Sequence, residues 1–200
     1  MNHPPRRAVL AAALLLTLAA CSREEAPAND VVITNEAVAA NDVTADNAIG
    51  TMQSFNFADA AGKSVGSVAV SDGASGLTLS VTASGMPAGT HGIHLHEKGL
   101  CERPKFESAG KHWNPAGKLH GRDNPEGAHL GDLANLDIDA SGAGTASFTI
   151  PGAMIASGAN MIADADGTAL VIHAKADDYK TDPSGNSGDR IACAVLAPPR

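Results

Sequence analysis

The chain has 200 residues, and its 14 Lys and Arg residues against 22 Asp and Glu residues give a formal net charge of −8. An acidic chain without a basic run is not typical of nucleic-acid-binding proteins, which need an excess of cations to displace counterions from phosphates. Aromatic residues make up only 3% of the chain, while glycine contributes 21 residues and proline 11, so the composition favours a β-rich fold with a Val, Ile, Leu and Ala core.

The beginning of the chain has the pattern of an export signal. Two arginines precede an apolar stretch, residues 8–16, which is too short for a membrane-spanning helix of about 20 residues. Leu18-Ala19-Ala20 before Cys21 resembles the cleavage site of bacterial lipoproteins. We therefore expect residues 1–20 to be a lipoprotein signal peptide, with an ordinary signal peptide as the alternative. Cys21 would carry the lipid, which would be the protein's only membrane contact, and the protein would reside in the periplasm or cell envelope.

A second segment, residues 21–49, is rich in Ala, Asn, Asp and Glu and has no sustained helical or strand period, which predicts a flexible tether before a domain over residues 50–200. Removal of the signal peptide would take away two arginines and no acidic residue, and the net charge would change from −8 to −10. With Cys21 lipidated in an oxidising compartment, Cys101 and Cys193 are expected to form a disulfide.

The domain alternates short extended runs with glycine-containing turns, which predicts an all-β fold: an eight-stranded antiparallel Greek-key barrel or sandwich, immunoglobulin-like in architecture. Two stretches interrupt the alternation, residues 97–128 and 175–190, and their length predicts functional loops. The predicted strands, in chain order, cover residues 52–57, 64–70, 77–83, 92–96, 130–138, 146–150, 169–174 and 191–196.

Seven of the eight histidines lie between residues 91 and 173. His94 and His96 are two residues apart in a predicted strand, so both imidazoles point to the same side and form a two-ligand unit. The first long segment and the residues just after it hold a further set of three histidines and one aspartate, which matches the donors that tetrahedral zinc prefers. These donors are His112, His120, His129 and Asp132.

The order of these motifs resembles the copper,zinc superoxide dismutase family over about residues 50–197. The resemblance rests on five segments: Gly92-Ile93-His94-Leu95-His96-Glu97, Gly110-Lys111-His112-Trp113-Asn114-Pro115, His129-Leu130-Gly131-Asp132-Leu133, Leu170-Val171-Ile172-His173-Ala174-Lys175-Ala176-Asp177-Asp178, and Gly188-Asp189-Arg190-Ile191-Ala192-Cys193.

The resemblance implies one copper ion and one zinc ion per chain, with superoxide as the substrate and dioxygen and hydrogen peroxide as the products. Such an enzyme would protect the cell envelope from superoxide. His112 would bind both metals and also serve as a proton donor, so it counts as a catalytic residue. The implied ligands are His94, His96, His112 and His173 for copper, and His112, His120, His129 and Asp132 for zinc.

Three further roles follow from the same resemblance. Arg190 would attract the anionic substrate beside the copper, because a guanidinium keeps its charge at any working pH. Asp177 would join the outer ring nitrogens of His94 and His120, a kind of partner that metal-bound histidines usually need. His91 is expected to make a backbone hydrogen bond and to bind no metal.

Two other functions fit the same donors. A copper or zinc carrier would bind metal without turnover, but it needs neither a shared imidazole nor an arginine directed at an anion, and Cu(I) carriers favour Met and Cys. A zinc hydrolase needs an open zinc position, whereas four protein donors close it. The sequence leaves open whether the protein is a monomer or a homodimer, and it assigns no individual role to Tyr179, Lys180 or Thr181.

Overall fold

The computed structural model describes residues 52–200, so the predicted signal peptide, Cys21 and the tether lie outside the described residues. Within residues 52–200 nine strands form, and a single 3-10 turn covers Glu107–Ala109. No helix in this part of the chain has the length and apolarity needed to cross a membrane. The strands are β1 Gln53–Asp59, β2 Ser64–Gly73, β3 Gly76–Ala83, β4 Gly89–His91, β5 Ile93–His96, β6 Leu136–Ile138, β7 Gly144–Ile150, β8 Thr168–His173 and β9 Arg190–Ala197.

All of these strands pair antiparallel. Seven of them form one curled sheet in the order β5-β8-β9-β1-β2-β3-β7, and β4 pairs with β6. Only Gly92 separates β4 from β5, so the two-stranded pair continues directly into the edge of the large sheet. Strands distant in sequence, β9 with β1 and β7 with β3, become neighbours as in Greek-key folds. The predicted all-β antiparallel fold class is confirmed.

Most strand ends lie within three residues of the predicted ones, and the structure departs further from the prediction in two places. The strand expected over residues 130–138 is wrong for its first part, because only Leu136–Ile138 is extended. Upstream, the Asp132 carboxylate accepts hydrogen bonds from the backbone N–H of Gly121 at 2.9 Å and of His129 at 3.0 Å, which turns the chain away from a strand. Strand β4 was not predicted, since Gly89–His91 carries no apolar alternation.

Two strands are buried on both faces, although most strands of the sheet have one exposed side. Every residue of β5 and of β8 is buried. Their inner residues, such as Leu95 and Ile172, belong to the main hydrophobic core. Their outer residues include His94 and His96, whose burial means that the two long loops cover this face. Polar side chains on this face are therefore removed from solvent without entering the core.

A small apolar cluster holds the first long loop against the outer face. Phe106 is fully buried there, with a φ of 56° that is uncommon for a bulky residue. It packs with loop and strand residues that face away from the main core, namely Ala109, Ala169, Val171 and Cys193.

The predicted disulfide between Cys101 and Cys193 is confirmed, and it joins the same loop covalently to β9. The two Cα atoms are 5.8 Å apart, within the usual range for this bond, and the two residues are separated by 92 positions in the sequence. Because Arg190 begins β9 only three residues before Cys193, the bond fixes the loop next to this arginine.

Reduction of this disulfide should lower the free energy of unfolding, because the reduced unfolded chain regains the entropy of a long closed loop. The loop-closure model gives an upper value of about 4 to 5 kcal/mol for a loop of this size. Thermal unfolding with and without reductant measures the effect. The Cys101→Ser/Cys193→Ser double variant should already unfold at the lower temperature and should not respond to reductant; equal melting temperatures for the oxidised native protein and this variant would contradict the expectation.

Candidate metal centre

Strand β5 is the framework of the site, because it is flanked by backbone pairs on both edges. On one edge β8 pairs with it in register, with His94 opposite Val171. On the other edge the first long loop and the residues just after it add isolated bridges that set His94 opposite Asp132 and His96 opposite His112. This backbone pairing therefore brings Asp132 and His112 next to His94 and His96, whose side chains lie on the same face of the strand.

Gly131 allows this close approach of loop and strand. Its carbonyl accepts a hydrogen bond from the Leu95 N–H at 3.0 Å. A Cβ atom at this position would lie 2.6 Å from the Leu95 carbonyl oxygen and 3.0 Å from that of Trp113. Only glycine fits between these two backbone segments, and the next residue is Asp132.

The structure brings the predicted donors together in two groups, each with its donor atoms within 4.8 Å of one another. His112 belongs to both groups, which places its ring between them. The first donor group consists of His94, His96, His112 and His173, and the second consists of His112, His120, His129 and Asp132.

In the first donor group, the rings of His96 and His173 face each other, each through a nitrogen that carries a lone pair. The Nδ1 atoms of His96 and His173 face the carbonyl oxygens of Gly110 at 3.0 Å and Gly188 at 3.3 Å. A carbonyl can only accept, so each Nδ1 carries the proton and each Nε2 has a lone pair. The two Nε2 atoms lie 3.4 Å apart. Two facing lone pairs repel unless a cation shares them.

In the second donor group, one carboxylate oxygen is the common neighbour of three rings. Asp132 Oδ1 lies 2.8 Å from His112 Nδ1, 3.0 Å from His129 Nδ1 and 3.1 Å from His120 Nδ1. The residue types, three nitrogens and one oxygen, are those of a closed zinc site.

Three buried ring nitrogens have no hydrogen-bond partner among residues 52–200, namely His94 Nδ1, His112 Nε2 and His120 Nδ1. A buried polar atom without a partner is costly in a protein interior. Each of these atoms belongs to a residue of one of the donor groups, and the opposite nitrogen of the same ring is already bonded to a carboxylate. The residues present therefore fit two metal ions, which would satisfy the unpartnered nitrogens.

Burial keeps most of these imidazoles neutral, as metal ligands must be. It lowers the pKa of His94, and that of His96 well below its usual value. Burial, with the charge of neighbouring histidines, lowers the pKa of His112 to about 4 and that of His173 to about 3.

His120 behaves differently because it lies between two carboxylates. Burial alone would lower its pKa, but the neighbouring carboxylates of Asp132 and Asp177 outweigh burial and raise it to about 9. Burial alone would raise the pKa of both carboxyl groups, but His112 and His120 beside Asp132, and His120 and His94 beside Asp177, outweigh burial and hold the pKa of each well below its usual range. Both aspartates are therefore ionised, and they would balance part of the positive charge of bound metal ions.

Asp177 connects the two donor groups through the outer ring nitrogens of His94 and His120. Its Oδ2 accepts from His94 Nε2 at 2.9 Å and its Oδ1 from His120 Nε2 at 3.0 Å. The side chains of Asp177, His94 and His120 are all fully buried. These bonds place a proton on Nε2 of each ring, so Nδ1 is the atom with which each ring would bind a metal.

Arg190 lies half-buried beside the first donor group. Its Nη1 and Nη2 donate to the carbonyl oxygens of Phe106 and Gly110, both at 2.6 Å. Burial lowers the pKa of Arg190, and the charge of Glu107 opposes this shift. The guanidinium is thus fixed near His96, which donates to the same Gly110 oxygen.

His91 contributes to neither donor group. Its ring nitrogens face the carbonyl oxygens of His173 at 2.7 Å and of Pro87 at 3.0 Å. A contact that sequence reasoning missed involves Asn135, whose side chain donates to the Asp177 carbonyl at 3.0 Å and accepts from the Asp177 N–H at 2.9 Å. Asn135 follows Asp132 by three residues, but no motif in the sequence links it to the second long loop.

Substitution of the shared histidine should affect both metals. In His112→Ala, affinity for copper and for zinc should each fall by at least the roughly 10- to 100-fold that loss of a ligand's outer partner costs. In His120→Ala, only zinc affinity should fall to this extent. Metal analysis of both purified variants after dialysis checks the difference, and full copper and zinc content in His112→Ala would refute the shared position.

Comparison with known proteins places this arrangement in a family. The family model described as copper/zinc superoxide dismutase matches residues 64–196. A superoxide dismutase-like protein, YojM of Bacillus subtilis, is 44% identical over 138 residues, covering 68% of this chain and 70% of the relative. The superoxide dismutase [Cu-Zn] of Caulobacter vibrioides is 41% identical over 138 residues, covering 68% and 79%.

A solved structure agrees with the sequence relatives. The crystal structure of a SOD-like protein from Bacillus subtilis has a TM-score of 0.70 and 40% identity, and the match covers 73% of this chain and 99% of that one. The fold, the two donor groups and these relatives lead to one assignment: the chain belongs to the copper/zinc superoxide dismutase family.

Proposed function

We propose that the protein converts superoxide to dioxygen and hydrogen peroxide, with copper held by the first donor group and zinc by the second. The observation that carries this proposal is the position of His112 in both groups. A carrier that only binds and releases metal has no use for a ligand common to two ions. Four imidazoles suit copper, and the mixed nitrogen and oxygen set suits zinc.

The reaction consumes two superoxide anions and two protons and yields one dioxygen and one hydrogen peroxide. Copper, when bound, supplies the one-electron chemistry, taking an electron from one anion and giving it to another. The protein must attract the anion, hold the ligands in place and supply protons.

Arg190 attracts and orients the anion. The chain is acidic overall, with a net charge of −8, so the average field repels superoxide. Charges farther from the site than the Debye length, about 8 Å at physiological salt, are largely screened, whereas a fixed guanidinium at the site is not. Two backbone carbonyls fix this guanidinium, so its charge remains close to the first donor group.

His112 can hold a proton at Nε2, the nitrogen of its ring that has no hydrogen-bond partner among the described residues. Its Nδ1 lies 2.8 Å from Asp132 Oδ1, and the ring is therefore held from the side of the second donor group. A proton at Nε2 faces the first donor group, where the reduced substrate would need it. This atom is thus suited to act both as a ligand and as a proton donor.

Decay of superoxide in the presence of the copper- and zinc-loaded domain tests the function. The loaded native protein should accelerate the decay catalytically, with many turnovers per chain. Loaded protein that binds both metals but removes no more than about one superoxide per chain would identify a carrier instead.

Arg190→Glu should lower the rate of superoxide consumption by roughly tenfold or more, because it replaces local attraction with repulsion. Arg190→Lys should lower it far less, and metal content should be unchanged in both. Rising ionic strength should slow the native enzyme and should slow the Glu variant less, or accelerate it. Rates are measured over a series of salt concentrations.

Arg200→Glu is the matched control for the same change of charge. Arg200 is exposed, and its backbone contacts Ala165 near the start of β8, whereas His173 ends that strand. This variant should keep the native rate. Equal rates for Arg190→Glu and the native protein at every salt concentration would contradict the role assigned to Arg190.

We also propose that the enzyme acts in the bacterial cell envelope, anchored by a lipid on Cys21, and protects the envelope from superoxide. The segment Leu18-Ala19-Ala20-Cys21 supports this location. The Cys101–Cys193 disulfide supports an oxidising compartment.

Expression of the full chain in a bacterium and mass measurement of the exported protein test the anchor. The native protein should begin at a lipid-modified Cys21 and fractionate with membranes, and Cys21→Ser should lose the lipid. Exported native protein with Cys21 unmodified, or bridged to either of the other two cysteines, would overturn the lipid assignment.

A further inference from the structure

Tyr179 lies in the second long loop, two residues after Asp177, and its backbone has a φ of 62°. Residues with a bulky side chain rarely adopt this left-handed conformation, and when they do the surroundings must hold them there. The neighbours of Tyr179 come from both long loops and from Asn135 just before β6, and together they contact its backbone, its hydroxyl and its ring.

Its backbone is bonded on both sides. The Tyr179 N–H donates to Asp177 Oδ1 at 2.6 Å, the oxygen that also accepts from His120 Nε2. The Tyr179 carbonyl accepts from the Asp123 N–H at 3.0 Å. The residue therefore links the Asp177 carboxylate to the first long loop.

Its hydroxyl completes a ring of hydrogen bonds around Asp177. The Tyr179 hydroxyl accepts from the Asn135 N–H at 2.9 Å. The Asn135 side chain in turn bonds both the N–H and the carbonyl of Asp177, at 2.9 and 3.0 Å. The backbone and the carboxylate of Asp177 are thus fixed by two residues that contact each other.

The face of the aromatic ring is covered by a cation. The guanidinium carbon of Arg122 lies 3.8 Å from the centroid of the Tyr179 ring, which is within the range of a cation–π contact. Arg122 follows Gly121, whose N–H donates to Asp132 Oδ2 at 2.9 Å. The Gly121 backbone passes so close to the Tyr179 carbonyl that no Cβ fits between them.

We propose that Tyr179 is a positioning residue of the metal centre: it clamps Asp177 in the orientation that directs the Nδ1 atoms of His94 and His120 into the two donor groups. The inference rests on the metal assignment of the proposed function. Since the clamp lies directly behind His120, its loss should loosen the second donor group first.

The test measures zinc release and a spectroscopic signature, without superoxide. Tyr179→Phe keeps the ring over which Arg122 lies but loses the hydroxyl, so zinc release into a chelator should accelerate about threefold. Tyr179→Gly adopts the left-handed backbone without strain but loses the ring, so release should accelerate by about tenfold or more. Cobalt(II) bound in place of zinc should show a shifted visible absorption in the Gly variant and a nearly native one in the Phe variant.

Lys180→Gly is the matched control, because it adds a glycine to the same exposed loop and keeps Tyr179. Its zinc release and cobalt spectrum should be native. The proposal is overturned if both Tyr179 variants release zinc at the native rate, or if Lys180→Gly accelerates release as much as Tyr179→Gly. The superoxide assay is independent of these measurements: loss of the proposed dismutase function would appear in the native protein itself, whatever the release rates are.

Discussion

The Asp177 carboxylate is the constraint on which the site depends. It bonds His94 from β5 with one oxygen and His120 from the first long loop with the other, at 2.9 and 3.0 Å. A strand and a loop are thereby fixed relative to each other by a single ionised group from a second loop. Because a carboxylate can only accept, both rings must donate from Nε2, and the choice of donor nitrogen toward the metals follows.

Histidines on the outer face of a β-sheet are buried only if a second layer of structure covers that face. Here the layer consists of the two long loops, which bury the outer face of β5 and β8. Neither loop contains regular structure beyond a single 3-10 turn, so other bonds must hold them: the disulfide at Cys193, the packing of Phe106 and the hydrogen bonds of Arg190. The metal ligands therefore lie between two rigid surfaces, a sheet on one side and a cross-linked loop on the other.

How much of this arrangement the sequence predicts depends on how far apart in the chain the interacting residues lie. Alternation within β3 and the spacing of His94 and His96 are local patterns, and both appear in the structure as expected from the period of a strand. The apolar residues before Leu136 favour a strand by pattern, but the turn around Asp132 depends on hydrogen bonds that the pattern does not show. The contacts of Asn135 and Tyr179 join residues more than 40 positions apart, and no local pattern encodes them. The pairing of Asp177 with two histidines was accessible only through family resemblance.

The carbonyl oxygen of Gly110 accepts from both His96 Nδ1, at 3.0 Å, and Arg190 Nη2, at 2.6 Å. The ring that faces the first donor group and the cation beside it thus share one anchor. That anchor is a main-chain atom, and a point mutation can replace a side chain but cannot delete a peptide carbonyl. The spacing of the ring and the cation therefore depends on the course of the backbone at Gly110 and not on the identity of a third side chain.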